Sequence, residues 1–427
     1  MQRNRELVSF IPVVLMMMIG FASVYAARSA HVDASSLYYS LLFVGLFLAV
    51  HLLLRLAAPH ADPYLLPLTA LLSAIGIMMI YRIDPELAAA QTTWLMTGLG
   101  LFLITMIFLR NYRRLDDYIY LLGLIGIALL VVTIIFGDEV NGARLWLKAG
   151  GFSIQPGEFS KVLITIFLAG YLNMNRELLS TSTRHMLKIP VPPLKHLGPL
   201  VTMWGVSLAL LLLMNDLGAS LLLFGIFLAM IYAATGRIIY PFIGGALFAS
   251  GALLAYNLKA TVQIRIETWI DPWSDSLGAG YQIVQSLFAI GDGGLFGTGL
   301  GKGYLLFASG EPIIPELHTD FIFSAIAEEL GLVGATGLIV LFMLFCYRAF
   351  KIAIDSDDGF SKLLAAGLAS GFALQTFVIL GGVMKLIPLT GITLPFVSYG
   401  GSSIVANFVA LALLLLISNR TNGERAR

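Results

Sequence analysis

Several short stretches of this 427-residue sequence gather side chains that could do chemistry. The first is RIETWIDPWSDSLGAGYQ (265–282), where Glu267, Asp271 and Asp275 fall within nine positions beside Trp269 and Trp273. A carboxylate placed there can take a proton from a hydroxyl or orient it. It can equally serve its own backbone. Asp271-Pro272 is a turn signal that Asp271 can cap, and Gly278 and Gly280 let the chain turn sharply or approach a ligand. Glu158 and Lys161 form a second group. Their i,i+3 spacing puts them on one helix face, where they neutralise each other. That pair either holds its helix in a bundle or forms the polar floor of a cavity. A third group is His318-Thr319-Asp320, where Thr319 or Asp320 reads as a helix N-cap. Two turns further on, Glu328 and Glu329 point about 100° apart and so cannot both meet one partner. Asp216, beside Asn215, reads as a cap or turn residue.

The elements that must position these residues follow from composition. Hydrophobic residues make up 58% and charged residues 12%, against roughly 45–50% and 25% in a soluble domain. Mean hydropathy is +0.87. Lipid is the solvent along the whole length, which excludes a soluble enzyme, a nucleic-acid binder and a disordered scaffold. Net charge is +1, so no bulk field attracts polyanions. A single cysteine, Cys346, excludes an intramolecular disulfide and argues against a Cys/His metal site. The fold class is therefore all-α, a polytopic helical membrane protein.

With about 20 apolar residues needed per crossing, the runs predict about twelve spans, near 7–27, 37–57, 63–81, 92–110, 117–137, 159–175, 196–214, 218–235, 239–257, 319–347, 363–384 and 396–418. Placing both termini in the cytoplasm puts 17 of the 26 Lys and Arg on that side, as the positive-inside rule requires. The long external segment 258–318 then carries the acids, with an apolar stretch over 280–296 that lies in the interface or re-enters the membrane. Its glycines, Gly291 to Gly303, match no nucleotide-binding spacing and suit close-packed backbone near a bulky ligand. Lys385 and the Gly/Pro-broken stretch Pro388–Ser403 enter the last span. Irregular backbone at that depth is tolerated only where protein or a wet cavity satisfies it. Together these features describe an outward-facing, polar-floored cavity suited to an amphiphile with an anionic head.

The stretches NGARLWLKAGGFSIQPGEFSK (141–161), NDLGAS (215–220), DPWSDSLGAGYQIVQSLFAIGDGGLFGTGLGKG (271–303), HTDFIFSAIAEELGLVG (318–334) and IPLTGITLPFVSYGGSS (387–403) resemble the SEDS family of RodA/FtsW-type peptidoglycan glycosyltransferases. They occur in family order. Departures are Ser276 where the family usually has Pro, Gly157 where Ser or Ala is usual, and Asn215 before D-L-G. The resemblance implies a ten-span glycosyltransferase core over 61–427 and an additional transmembrane pair over 1–60. It implies polymerisation of lipid II at the outer face of the cytoplasmic membrane, with undecaprenyl diphosphate leaving. By the same resemblance Asp275 is the essential loop carboxylate, as general base or as the group that orients the acceptor hydroxyl. Arg144, Lys148, Lys302 and Lys385 are candidates to meet the diphosphate, with a divalent cation, Mg or Mn, as a possible helper. Glu158 and Lys161 match the family's acid–base pair. Gln285, Ser286, His318, Asp320, Ser398 and Ser402 complete the expected substrate-binding set. The expected partners are lipid II, the bilayer and a class B penicillin-binding transpeptidase, with no nucleic acid. A lipid II flippase and a non-catalytic scaffold for that transpeptidase are the competing functions.

Overall fold

The computed structural model describes residues 2–29, 34–140, 142–149, 152–177, 184–186, 189–191, 194–307 and 309–425. Asn141, Lys188 and Arg427, which fall in the motifs and charge counts above, lie outside them. The protein is a helical membrane protein. Among the described residues ten helices are long and apolar enough to cross a bilayer: Arg3–Val24, Ser40–Ala57, Leu65–Ile83, Pro85–Phe108, Ile119–Phe136, Leu217–Thr235, Ile239–Leu258, Ile322–Asp355, Gly359–Val383 and Gly401–Arg425. The expected spans at 159–175 and 196–214 are also helical, as Pro156–Met174 and Leu194–Leu213. Many apolar side chains face outward. In Ile239–Leu258 only Gly244 is buried, as befits a helix whose solvent is lipid.

The chain divides into two compact units. One comprises residues 1–104, 253–348 and 375–408; the other comprises 105–252, 349–374 and 409–427.

In the first unit, Leu65–Ile83 is buried along nearly its whole length. Gly76 makes this possible, because a Cβ there would lie 2.3 Å from the Val397 carbonyl oxygen. Small residues let helices and backbone approach where no hydrophobic drive separates protein from lipid. Near the N-terminus, Glu6 accepts from Arg3, and His51 Nδ1 lies 2.8 Å from its other oxygen. Arg348 pairs with Asp62 and stacks over Tyr64.

The expected continuous span from 319 is broken. Gly331, inside Ile322–Asp355, takes φ 66° and ψ −168°. The helical hydrogen bonds lost at the break are replaced by the glycine-rich loop. Thr298 and Gly299 N–H donate to the Glu328 and Glu329 carbonyls at 3.0 Å. In return, Leu332 and Val333 N–H donate to Gly294 and Leu295 at 2.9 and 3.1 Å. A broken helix survives at such depth only when neighbouring backbone satisfies it. The loop glycines are thus close-packed as expected, but against this helix break: a Cβ on Gly297 would sit 2.2 Å from the Glu329 carbonyl oxygen.

In the second unit, Ile119–Phe136 packs on Pro156–Met174 through Gly123, Gly126 and Gly170, whose missing Cβ atoms make room for Phe167, Ile164 and Ile119. A small antiparallel sheet of Asp138–Val140, Ala143–Ala149 and Phe152–Ile154 joins these two helices. Asp216 is an N-cap, its carboxylate accepting from Ala219 N–H at 2.9 Å.

Candidate functional site

The first unit holds the Asp275 turn. Asp271 opens it by accepting from Trp273 N–H at 3.1 Å, and Pro272–Asp275 follows as a single 3-10 turn. Asp275 is exposed, yet both carboxylate oxygens are engaged: Oδ1 accepts from Gly278 N–H at 3.1 Å and Oδ2 from Ala279 N–H at 2.8 Å. Its carbonyl accepts from Gly278 and Gly280 at 3.2 and 3.0 Å. The two glycines are there for this turn. A Cβ on Gly278 would lie 2.4 Å from Asp275 Oδ2, and one on Gly280 would lie 2.1 Å from the Pro272 carbonyl oxygen.

The helix Tyr281–Asp292 carries the turn's position onward. Tyr281 Oη donates to the Ile313 carbonyl at 3.0 Å and Gln282 Nε2 to that of Pro315 at 3.2 Å. These bonds tie the Asp275 turn to the segment leading into His318 and Asp320. Gln285 is half-buried. Ser286 is fully buried, 2.7 Å from Ser324 Oγ and donating to the Val383 carbonyl at 3.1 Å. Ser398 and Ser402 are buried too. Ser398 Oγ accepts from Leu394 N–H and donates to the Thr319 carbonyl. These serines hold loops and helices together from inside. Lys302 is exposed and Lys385 half-buried; neither ammonium makes an ion pair with a described residue. The Lys385 backbone has φ 60°, and its carbonyl accepts from Trp269 Nε1 at 3.2 Å.

At His318–Asp320 the expected helix cap is absent. Thr319 Oγ1 donates back to the Glu316 carbonyl at 3.0 Å, and the Asp320 carboxylate accepts from no backbone N–H of a described residue. The His318 ring packs edge-on to Tyr399, and its Nδ1 is buried with no partner. Burial holds the His318 imidazole below its ordinary value, with Glu316 and Asp84 opposing. The Asp320 carboxyl is pushed up to about 7, chiefly by burial; Glu316 adds to the rise and Arg265 opposes it.

Sequence reasoning missed what surrounds these groups. Arg265 donates to the Leu389 and Thr390 carbonyls at 3.4 and 3.2 Å, fixing the loop against which Asp320 lies. Arg82 Nε bonds Glu329 at 3.0 Å, and Glu329 also accepts from Gly301 and Gly303 N–H at 2.8 and 3.2 Å. Glu328 accepts from Tyr304 N–H. The adjacent acids do meet different partners, and both hold the glycine loop.

The second unit holds the remaining expected residues. Lys161 Nζ donates to Glu158 at 2.8 Å, both buried at the head of Pro156–Met174. Arg144 and Lys148 are exposed on the sheet and face Glu139 at 3.4 Å and Asp138 at 3.5 Å. Those acids are legible as cross-strand partners once the hairpin is drawn. Among the described residues no group of three or more His, Cys, Asp or Glu could hold a metal ion.

Helices long and apolar enough to cross a bilayer many times, with charged groups held in loops and at helix heads, define a polytopic membrane protein. The model of the cell cycle protein family FtsW/RodA/SpoVE matches residues 62–423, and the chain belongs to that family. It is 42% identical over 432 residues to the peptidoglycan glycosyltransferase RodA of Mycobacterium tuberculosis H37Rv, covering 98% of this chain and 91% of that protein. It is 35% identical to stage V sporulation protein E of Bacillus subtilis 168, covering 84% and 96%. Among solved structures it is similar to the rod shape determining protein RodA of Thermus thermophilus, with a TM-score of 0.60, 28% identity and coverage of 84% and 96%. It also resembles a chain from a peptidoglycan synthase complex that coordinates polymerization and crosslinking, with a TM-score of 0.68, 29% identity and coverage of 84% and 98%.

Proposed function

We propose that this chain polymerises lipid II into glycan strands at the outer face of the cytoplasmic membrane, for wall synthesis in elongation or division, with both termini inside. The observation that carries the reading is the Asp275 turn. A chain 42% identical to a peptidoglycan glycosyltransferase builds two backbone N–H groups and two obligatory glycines around one exposed carboxylate.

In this reading the GlcNAc 4-hydroxyl of the acceptor attacks the anomeric carbon of the donor MurNAc. Undecaprenyl diphosphate leaves with the bonding electron pair. One displacement converts an α-linked donor into a β-linked product, so no covalent sugar–enzyme stage is needed. Asp275 has two lone-pair directions left after its backbone bonds, and these accept from the acceptor sugar and hold it so that its 4-hydroxyl is aligned. Lys385 and Lys302 carry charge toward the diphosphate, where positive groups stabilise the developing anion. On the second unit, taken by itself, exposed Arg144 and Lys148 can exchange Glu139 and Asp138 for the oxygens of an anionic headgroup. The Glu158–Lys161 pair places a neutralised polar step at the head of its helix. A class B penicillin-binding transpeptidase is the partner that crosslinks the product.

The test is polymerisation of purified lipid II by the full chain reconstituted with its transpeptidase, crosslinking blocked and glycan chains resolved on a gel. Wild type is expected to make polymer, and Asp275→Asn, still folded and bound to its partner, none. Polymer from Asp275→Asn at the wild-type rate would overturn the role of Asp275; wild type that only moves labelled lipid II between leaflets would overturn the reading.

A further inference from the structure

Glycosyl transfer to a hydroxyl releases a proton, and a group within reach must take it as the new bond forms. Asp275 already uses both oxygens to hold its turn. Asp320 is placed differently. Its carboxylate is only partly exposed, makes no hydrogen bond or ion pair with any described residue, and caps no helix. Oδ2 faces bare backbone: a Cβ built on Gly391 would lie 3.5 Å from it. Arg265, the cation facing it from the helix Ala260–Ile270, donates to the Leu389 and Thr390 carbonyls. Two further polar atoms on these same segments, His318 Nδ1 and Thr390 Oγ1, are buried without a partner among the described residues. Folded proteins pair nearly all such groups, and those left over call for a partner from outside. A sugar, rich in hydroxyls that both donate and accept, supplies one.

We propose that Asp320 is the catalytic proton acceptor of the transferase, with Thr390 Oγ1 and His318 Nδ1 binding the same sugar. The proposal rests on the polymerase reading above and assigns a proton path within it. The acceptor O–H bond breaks and its proton goes to a carboxylate oxygen of Asp320. The freed electron pair forms the bond to the anomeric carbon, and the bond to the diphosphate oxygen breaks with its pair leaving on undecaprenyl diphosphate. Asp320 then returns the proton to water.

The charges facing the site agree. Glu316, on the same segment, raises the Asp320 carboxyl and Arg265 lowers it, and burial brings it to about 7. His318 stands 4.0 Å from Glu316, and the charge of Asp84 also acts on His318 and Tyr399. A base poised near neutrality combines availability with strength.

The test is the pH profile of kcat/KM for lipid II polymerisation by the full chain with its transpeptidase, between pH 5 and 9. Wild type is expected to rise through one ionisation near 7 and level off. Glu316→Gln should move that rise to lower pH. Asp320→Asn should lose it and fall by about 10²–10⁴-fold, with labelled lipid II still bound. Asp320→Glu should keep a displaced rise. A wild-type profile with no rise between pH 6 and 8 overturns the proposal even if a variant fails to fold. So does Asp320→Asn within threefold of wild type. In both cases polymer made by wild type leaves the polymerase reading standing. Wild type that makes no polymer at any pH removes that reading and the proposal together.

Discussion

Gly278→Ala is the sharpest perturbation of the Asp275 turn, because it adds one carbon and changes no charge. That carbon would stand 2.4 Å from Asp275 Oδ2 and 2.6 Å from Oδ1, where ordinary contact begins at 3.4 Å. The carboxylate must therefore retreat by about 1 Å. This takes its oxygens beyond bonding distance of Gly278 and Ala279 N–H, now 3.1 and 2.8 Å away. Folding should hardly notice. Gly278 does not have a left-handed φ, the displaced group is the flexible end of an exposed side chain, and Gly→Ala removes about 0.4–1 kcal/mol of unfolded-state entropy. That offsets much of the two lost hydrogen bonds, each worth about 0.5–1.5 kcal/mol. Activity should suffer, since displacing a reacting group by 1 Å costs about 10²-fold. The assay pairs lipid II polymerisation with thermal unfolding in the same detergent. The expected result is a fall in rate of about 10²-fold with Tm nearly unchanged. Gly280→Ala is the contrast, because its Cβ would meet the Pro272 carbonyl oxygen at 2.1 Å and backbone cannot step aside; Tm should fall with activity. Wild-type polymerisation by a folded Gly278→Ala would refute the view that Asp275 works from its N–H cradle.

Two further outcomes concern charge. Arg82→Met leaves Glu329 buried without its cation, a change that costs about 3–5 kcal/mol; thermal unfolding should register it, and an unchanged Tm would mean that the Gly301 and Gly303 N–H groups suffice. Asp320→Asn should alter stability above about pH 4 and not below it. Its carboxyl titrates near 7 in the fold against 3.8 for an ordinary aspartate, so the native state prefers the neutral form. That preference stabilises fully below about pH 4 and is lost as pH rises through 7. The variant should match wild type below about pH 4, draw ahead as pH rises from about 4 to 7, and exceed it at pH 8–9 by about 1–2 kcal/mol, a figure reduced from the full shift because the group is partly exposed. Equal stabilities at both ends would contradict the burial of that charge.

Much of the molecule is legible in the sequence, and the limit falls at long-range contact. Span positions follow from apolar run length, which depends on bilayer thickness and not on neighbours. The Glu158–Lys161 bond follows from i,i+3 spacing, and the Asp216 cap from its place before an apolar run. By contrast, the Arg82–Glu329 bond joins residues 247 positions apart, and Arg265 reaches carbonyls 124 and 125 positions away. No periodicity encodes either. The glycine run reads as room for a ligand, whereas Gly297 and Gly293 admit the backbone of the broken helix at 327–331. A glycine announces close approach without saying what approaches. In sequence Asp320 reads as a substrate contact or a cap. Only the fold shows a carboxylate to which no described residue bonds.

The two carboxylates of the first unit differ in a way that bears on mechanism. Asp275 is exposed and held through both oxygens by its own turn, so its position is fixed before any substrate arrives and costs nothing to organise at the moment of reaction. Asp320 is hemmed in and unengaged, and burial makes it a stronger base than an ordinary aspartate. A group that positions benefits when its hydrogen bonds are already in place, because they remove freedom; a group that accepts a proton loses by them, because each stabilises the charged form it must give up. A glycosyltransferase that must align its acceptor and deprotonate it in one step needs both properties at once. Placing them on separate residues lets the turn stay rigid through every cycle while Asp320 alternates between its two protonation states.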